Sequence, residues 1–169
     1  MKVTVRPGVG VSTSSTYMVT QSPKSEFASF DNGSEMSAPK TAGTVTVEGK
    51  TNSSKLTFAW AGSVVDVTLP AKYNANGTQT NNAATISGDP GATAEFPFSI
   101  ELEFPKNDTI EEVVRTLKVT ANGGQAAQIA IKQAAGDATL SVSPADITIP
   151  QSGSAVSVNV TSNTSWTAA

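Results

Sequence analysis

Apolar and polar positions alternate with a period of two along most of this chain. The clearest run is EFPFSIELEF, residues 95–104, which sets Phe96, Phe98, Ile100, Leu102 and Phe104 on one face and Glu95, Pro97, Ser99, Glu101 and Glu103 on the other. A half-buried strand requires that alternation, because successive side chains point to opposite sides of a sheet. Pro97 has no N–H for a ladder, so the pattern predicts an edge position or a bulge there. The same periodicity predicts strands at KLTFAW (Leu56, Phe58, Trp60), VVDVTL (Val65, Val67, Leu69), RTLKVTA (Leu117, Val119), QIAIKQ (Ile129, Ile131) and AVSVNVT (Val156, Val158, Val160). Shorter runs lie at 45–47, 140–142 and 147–149.

Turn formers separate these runs: Ala61-Gly62-Ser63, Asn76-Gly77, Gly88-Asp89-Pro90-Gly91, Asn122-Gly123-Gly124 and Ser152-Gly153. TLKVTANGGQAAQIAIKQ reads as a hairpin, its Asn-Gly-Gly supplying the positive φ angles of a tight reversal. No window carries helical periodicity, and short strands with frequent turns imply an all-β sandwich. Two long polar stretches, 21–43 and 71–93, interrupt the pattern. Each either carries contacts, as long loops often do, or hides a short irregular edge strand, the second at about residues 83–86.

Small residues in AAGDATLSVSP mark a boundary, after which a fresh β pattern begins near Ala138. The expected organisation is an N-terminal arm over 1–20, a β-sandwich with two long loops over 21–135, and a partial second domain over 138–169. Two or three strands cannot bury a core of their own. The apolar face of Val156, Val158, Val160 and Trp166 is therefore expected to be completed from outside, by further polypeptide or by strands of partner chains.

Composition narrows the chemistry. Charged residues make up 15% of the chain, against about 25% in typical soluble domains, so Thr, Ser, Asn and Gln dominate the polar surface. The net charge of −3, with no basic block, gives nucleic acid no electrostatic foothold. There is no cysteine and no histidine, which removes thiol nucleophiles, thiolate metal sites, the commonest general base and any Ser-His-Asp triad. The first residues lack a continuous apolar segment and do not read as a signal peptide. No stretch is apolar over a bilayer's width, so membrane insertion is not expected.

Few constellations invite a site. Glu101 and Glu103 share the outward face of one strand and could form a carboxylate pair of the glycosidase kind, although like charges two residues apart on a wet face are the plainer reading. DNGSE at 31–35 and NDTIEE at 107–112 offer oxygen ligands without calcium-loop spacing and read as acidic loops. RPGVG near the N-terminus completes no phosphate-binding pattern. No metal, cofactor or catalytic residue is assigned.

The stretch TLSVSPADITIPQSGSAVSVNVTSNTSWTAA resembles the opening half of a BACON domain, the Ig-like module of Bacteroidetes proteins and of phages that infect those bacteria. LSVSP at 140–144, Ile147 and Ile149, Gly153, VSVNVTSN and Ser165-Trp166 carry the resemblance. RTLKVTA and IAIKQAAG are similar to the end of such a domain. The resemblance implies an Ig-like β-sandwich followed by the start of a second, BACON-like one, and an association with carbohydrate or mucin binding. Sugar binding calls for exposed aromatic rings. Phe58, Phe96, Phe98 and Phe104 fall on core registers, and Trp60 and Trp166 are expected to pack within sandwiches. Tyr17, Phe27, Phe30 and Tyr73 remain as candidate glycan or partner contacts.

The expected function is thus a non-enzymatic structural or adhesion protein. The first reading is a virion component of a Bacteroidetes-infecting phage, such as a head fibre, capsid decoration or tail protein. It would be a homo-oligomer, attached to capsid or other virion proteins by strand addition through its N-terminal arm, and able to meet host glycans. The alternative is a carbohydrate-binding accessory module of the bacterial cell surface or periplasm.

Overall fold

The computed structural model describes residues 2–5, 15–20, 25–64, 66–86 and 94–168. Thirteen strands and no helix occur among them: β1 (Lys2–Val5), β2 (Ser15–Met18), β3 (Ala28–Phe30), β4 (Glu35–Ala38), β5 (Gly43–Thr51), β6 (Leu56–Trp60), β7 (Lys72–Ala75), β8 (Thr78–Asn81), β9 (Phe96–Phe104), β10 (Val113–Ala121), β11 (Ala126–Gln133), β12 (Leu140–Ser143) and β13 (Asn159–Ser162). The chain is all-β.

Two sheets face each other across one core and make a β-sandwich. One has the order β3-β5-β9-β7-β8, the other β4-β11-β10-β6. The inward positions of both supply the core, with Phe96, Phe98, Ile100, Leu102 and Phe104 of β9 all buried opposite Leu56, Phe58, Leu117, Val119, Ile129 and Ile131. One register serves all five β9 residues, because a slip of one position would expose every one of them. Phe98 sits at the hub, edge-on to Phe30 at 6.0 Å and to Phe58 at 5.7 Å.

The stretch 28–38 changes sheets. β3 runs antiparallel to β5, the chain turns through Asp31 to Ser34 with Gly33 at φ +71°, and β4 then lies parallel to β11. The loop at 21–43 therefore holds two strands, and the loop at 71–93 holds β7 and β8. Thr85 adds only a single bridge to Lys55. Pro97 lies on an interior strand. Its tolerance comes from partial pairing, since β7 meets β9 only at Ser99 and Phe98, and the Pro97 carbonyl accepts from Asn76 N–H.

The described residues of VVDVTL form no strand. Residues 66–70 cross between the sheets, bending at 66 and 67, with Val67 buried as a plug and its carbonyl accepting the Trp60 indole N–H at 2.9 Å. Val65 is outside the described residues. The run at 147–149 is likewise not a strand. The N-terminal stretch contains a hairpin, in which β1 pairs antiparallel with β2 from Lys2 opposite Met18 to Val5 opposite Ser15. After Gln133 a short linker leads to a two-stranded ladder of β12 and β13.

Candidate functional site

The aromatic candidates divide. Phe30 is buried against Phe98, and Tyr73 is buried against Phe58 with ring centres 4.9 Å apart. Neither presents a ring to solvent, because each occupies an inward register of a strand that the sequence alone reads as loop. Tyr73 Oη has no hydrogen-bond partner among the described residues; desolvation raises its pKa, and the Leu56 backbone opposes this in part. Phe27 is half-buried, its backbone held by Asn52 and Thr51. Tyr17 lies on β2 opposite Val3, and its side chain is outside the described residues. The structure does not gather the four into one surface. Trp166, expected to be packed, is 51% exposed, whereas Trp60 packs against the core.

Buried and half-buried amides assemble around backbone instead. Asn52 accepts from Phe27 N–H at 2.8 Å and donates to Ser25 O at 3.1 Å. Asn82 accepts from Phe58 N–H at 2.8 Å and donates to Phe58 O at 3.0 Å. Asn107 donates to Glu111 O and Ala134 O and accepts from Thr109 N–H and Oγ1. Each amide supplies the donor and acceptor that another strand would have supplied, at a place where no strand passes. Composition signalled only a general abundance of Asn; the same residue type also reads as a turn former, so these roles were not visible in sequence.

At one end of the core Arg115 and Gln133 occupy inward positions of β10 and β11. Arg115 is 5% exposed, binds both carboxylate oxygens of Asp66, donates to Gln133 Oε1 at 3.0 Å and lies 5.1 Å from the Phe104 ring centre. Gln133 Nε2 donates to Pro105 O at 2.7 Å and to Pro39 O at 3.2 Å. The Arg115 hydrogen bond holds the Asp66 carboxyl below its ordinary pKa. Every charge and amide in this cluster is engaged within the protein, so it braces the two loops at 39 and 105 and leaves no free acid or base.

The outer face of the five-stranded sheet carries two adjoining hollows. One of about 290 Å³ is lined by Asp31, Glu48, Asn74, Pro97 and Ser99; the other, of about 500 Å³, by Lys72, Asn74, Gln79, Ser99, Glu101 and Glu103. Glu101 and Glu103 are therefore solvent-facing, and Glu103 accepts from Thr44 Oγ1 at 2.6 Å. Phe98 borders the first hollow and Tyr73 the second, but both are buried, so the trough can hydrogen-bond hydroxyl groups and offers no exposed ring. Among the described residues no three acidic side chains converge on a point where a metal ion could sit. The DNGSE turn instead ties Glu35 to Lys132 at 2.6 Å.

The sequence matches no protein-family model and no curated protein.

Proposed function

We propose that this protein is a non-enzymatic structural and adhesion module whose sandwich is of the Ig-like kind. The strand order supports the Ig-like reading: taking β3 and β4 as a split first strand, the sheets run A-B-E-D with β8 added, and A-G-F-C. One observation carries the functional reading. The amides of Asn52, Asn82, Asn107 and Gln133, and the Arg115 guanidinium, bind backbone or one another and brace the fold. Such a design favours rigidity over chemistry.

The preferred setting is the virion, as a head fibre, capsid decoration or tail protein of a phage that infects Bacteroidetes, with the N-terminal stretch attaching to capsid proteins. The BACON resemblance of 138–169 motivates that setting. Electron microscopy of native particles labelled with antibody to this chain tests it. Regular labelling on the capsid or tail is expected, and labelling confined to bacterial envelopes would overturn it.

The polar trough on the outer sheet face favours a second reading, a carbohydrate-binding surface module. A glycan array decides that one: binding abolished by Asn74→Ala and Glu101→Ala together would support it, and a silent array would sink it.

A further inference from the structure

The hydrogen bonds that open the sandwich recur at residues 137–164. In the first set, Asn52 Oδ1 accepts Phe27 N–H, Asn52 Nδ2 donates to Ser25 O, Thr51 Oγ1 donates to Phe27 O at 2.6 Å, and Ser53 N–H donates to Thr51 Oγ1 at 3.0 Å. In the second, Asn163 Oδ1 accepts Thr139 N–H at 2.8 Å, and Asn163 Nδ2 donates to Asp137 O at 2.8 Å. Ser162 Oγ donates to Thr139 O at 2.8 Å, and Thr164 N–H donates to Ser162 Oγ at 3.1 Å. All four bonds correspond atom for atom.

The spacing corresponds as well. Phe27 and Asn52 are 25 residues apart and Thr139 and Asn163 are 24, and the other two long-range bonds of the set shorten by the same single residue. Strand register agrees: Ala28 lies opposite Thr51 and Phe30 opposite Gly49, as Leu140 lies opposite Ser162 and Val142 opposite Val160. The sequences align without a gap over the second strand, VTVEGKTNSS at 45–54 with VSVNVTSNTS at 156–165. We infer that residues 137–164 repeat residues 25–53, as the opening strand pair of a second unit built like the first, and that Asn163 also fastens this second unit to the loop between β9 and β10.

The fastening is visible in the linker. Asn163 Nδ2 donates to Asp108 O at 3.0 Å, Gly136 N–H donates to Thr109 O at 2.7 Å, and Lys40 Nζ pairs with the Asp137 carboxylate at 2.5 Å. A Cβ at Gly136 would meet Asn107 O and Thr109 O, so only glycine lets the linker lie this close to the loop. Buried Asn107 holds that loop to Ala134 O, which makes the joint continuous with the sandwich. The repeat also explains the exposed aliphatics. Leu140, Val142 and Val158 stand where the first unit has Ala28, Phe30 and Val47; those three are buried beneath the second sheet, whereas two strands alone leave Leu140 62% and Val142 49% exposed.

Amide hydrogen exchange and ¹⁵N relaxation on the full chain test both parts, with Leu117 and Ile129 amides reporting that each variant remains folded. Wild type should protect the Thr139 and Thr164 amides and show β12–β13 tumbling with β10–β11. Asn163→Ala should speed Thr139 exchange about tenfold, and Asn52→Ala should do the same for Phe27. Asn163→Asp keeps the acceptor for Thr139 N–H but has no donor for Asp108 O. It should keep Thr139 protected while β12–β13 reorient more freely relative to β10–β11 than in wild type, Gly136 and Lys40 still holding the linker. Thr139 and Thr164 amides exchanging at unstructured-peptide rates in wild type would overturn the repeat. Relaxation of β12–β13 unchanged from wild type in Asn163→Asp would overturn the fastening by Asn163.

Discussion

Asn82 bonds to both backbone groups of Phe58, taking its N–H at 2.8 Å and giving to its carbonyl at 3.0 Å. β6 is an edge strand of the four-stranded sheet, and this one side chain does there what a neighbouring strand would do. Ala83 N–H and Ile86 N–H extend the cover along the same edge through Leu56 O and Ser54 O. An exposed edge invites pairing with other chains, so the amide also guards against aggregation. Asn82→Ala should cost about 2 kcal/mol in urea unfolding, because two backbone groups lose partners. A change under about 0.5 kcal/mol would show that water replaces the amide freely.

Phe98 and Gly49 form a matched pair. A Cβ on Gly49 would strike the Phe98 ring and Ser29 O, so the glycine is the space the ring occupies. Phe98→Ala should cost about 3–5 kcal/mol. Gly49→Ala should cost about 1–3 kcal/mol through overpacking. The double variant should be less destabilised than the sum, since part of the clash disappears with the ring. Guanidinium denaturation of the four proteins reads the coupling.

The Asp66–Arg115 pair predicts a pH effect of known sign. Its folded pKa is held below the ordinary carboxylate value, first by the hydrogen bond to Arg115. The contribution is therefore complete above about pH 4 and is lost as pH falls through the folded pKa. Asp66 is 44% exposed, so screening limits the effect to about 1 kcal/mol or less. Urea midpoints of wild type and Asp66→Asn should differ at pH 7, and the difference should shrink as the pH is lowered from 4 towards 2. A constant difference across that range would refute the assignment.

The two tryptophans should differ in solution. Trp60 packs against the core with its indole N–H bonded to Val67 O, while Trp166 is 51% exposed. Acrylamide should quench Trp166→Phe emission weakly and Trp60→Phe emission strongly. Equal quenching of the two variants would mean that Trp166 is covered in solution.

Local periodicity determined which residues face the core wherever a strand was long: the five inward residues of β9, and Leu56, Phe58, Leu117, Val119, Ile129 and Ile131, could be read from alternation. The hairpin of β10 and β11 was equally legible, since Asn122-Gly123-Gly124 is a local turn signal, with Gly124 at φ +84°. Alternation does not say whether a backbone partner exists. VVDVTL alternates as well as any strand yet crosses between sheets, and Phe30 and Tyr73 looked like loop aromatics because their strands are only 3 and 4 residues long.

The clamps required the folded chain. Asn52, Asn82 and Asn163 meet backbone 24 or 25 residues away, and Glu35 reaches Lys132 across 97. A side-chain amide has the same two bonding groups in a turn, a loop or a strand edge, so its identity carries no address. Sequence determined the faces of the long strands through a period that each residue obeys by itself. Tertiary structure alone decided which distant backbone each amide would hold, because only closure of the two sheets brings those groups within hydrogen-bonding reach.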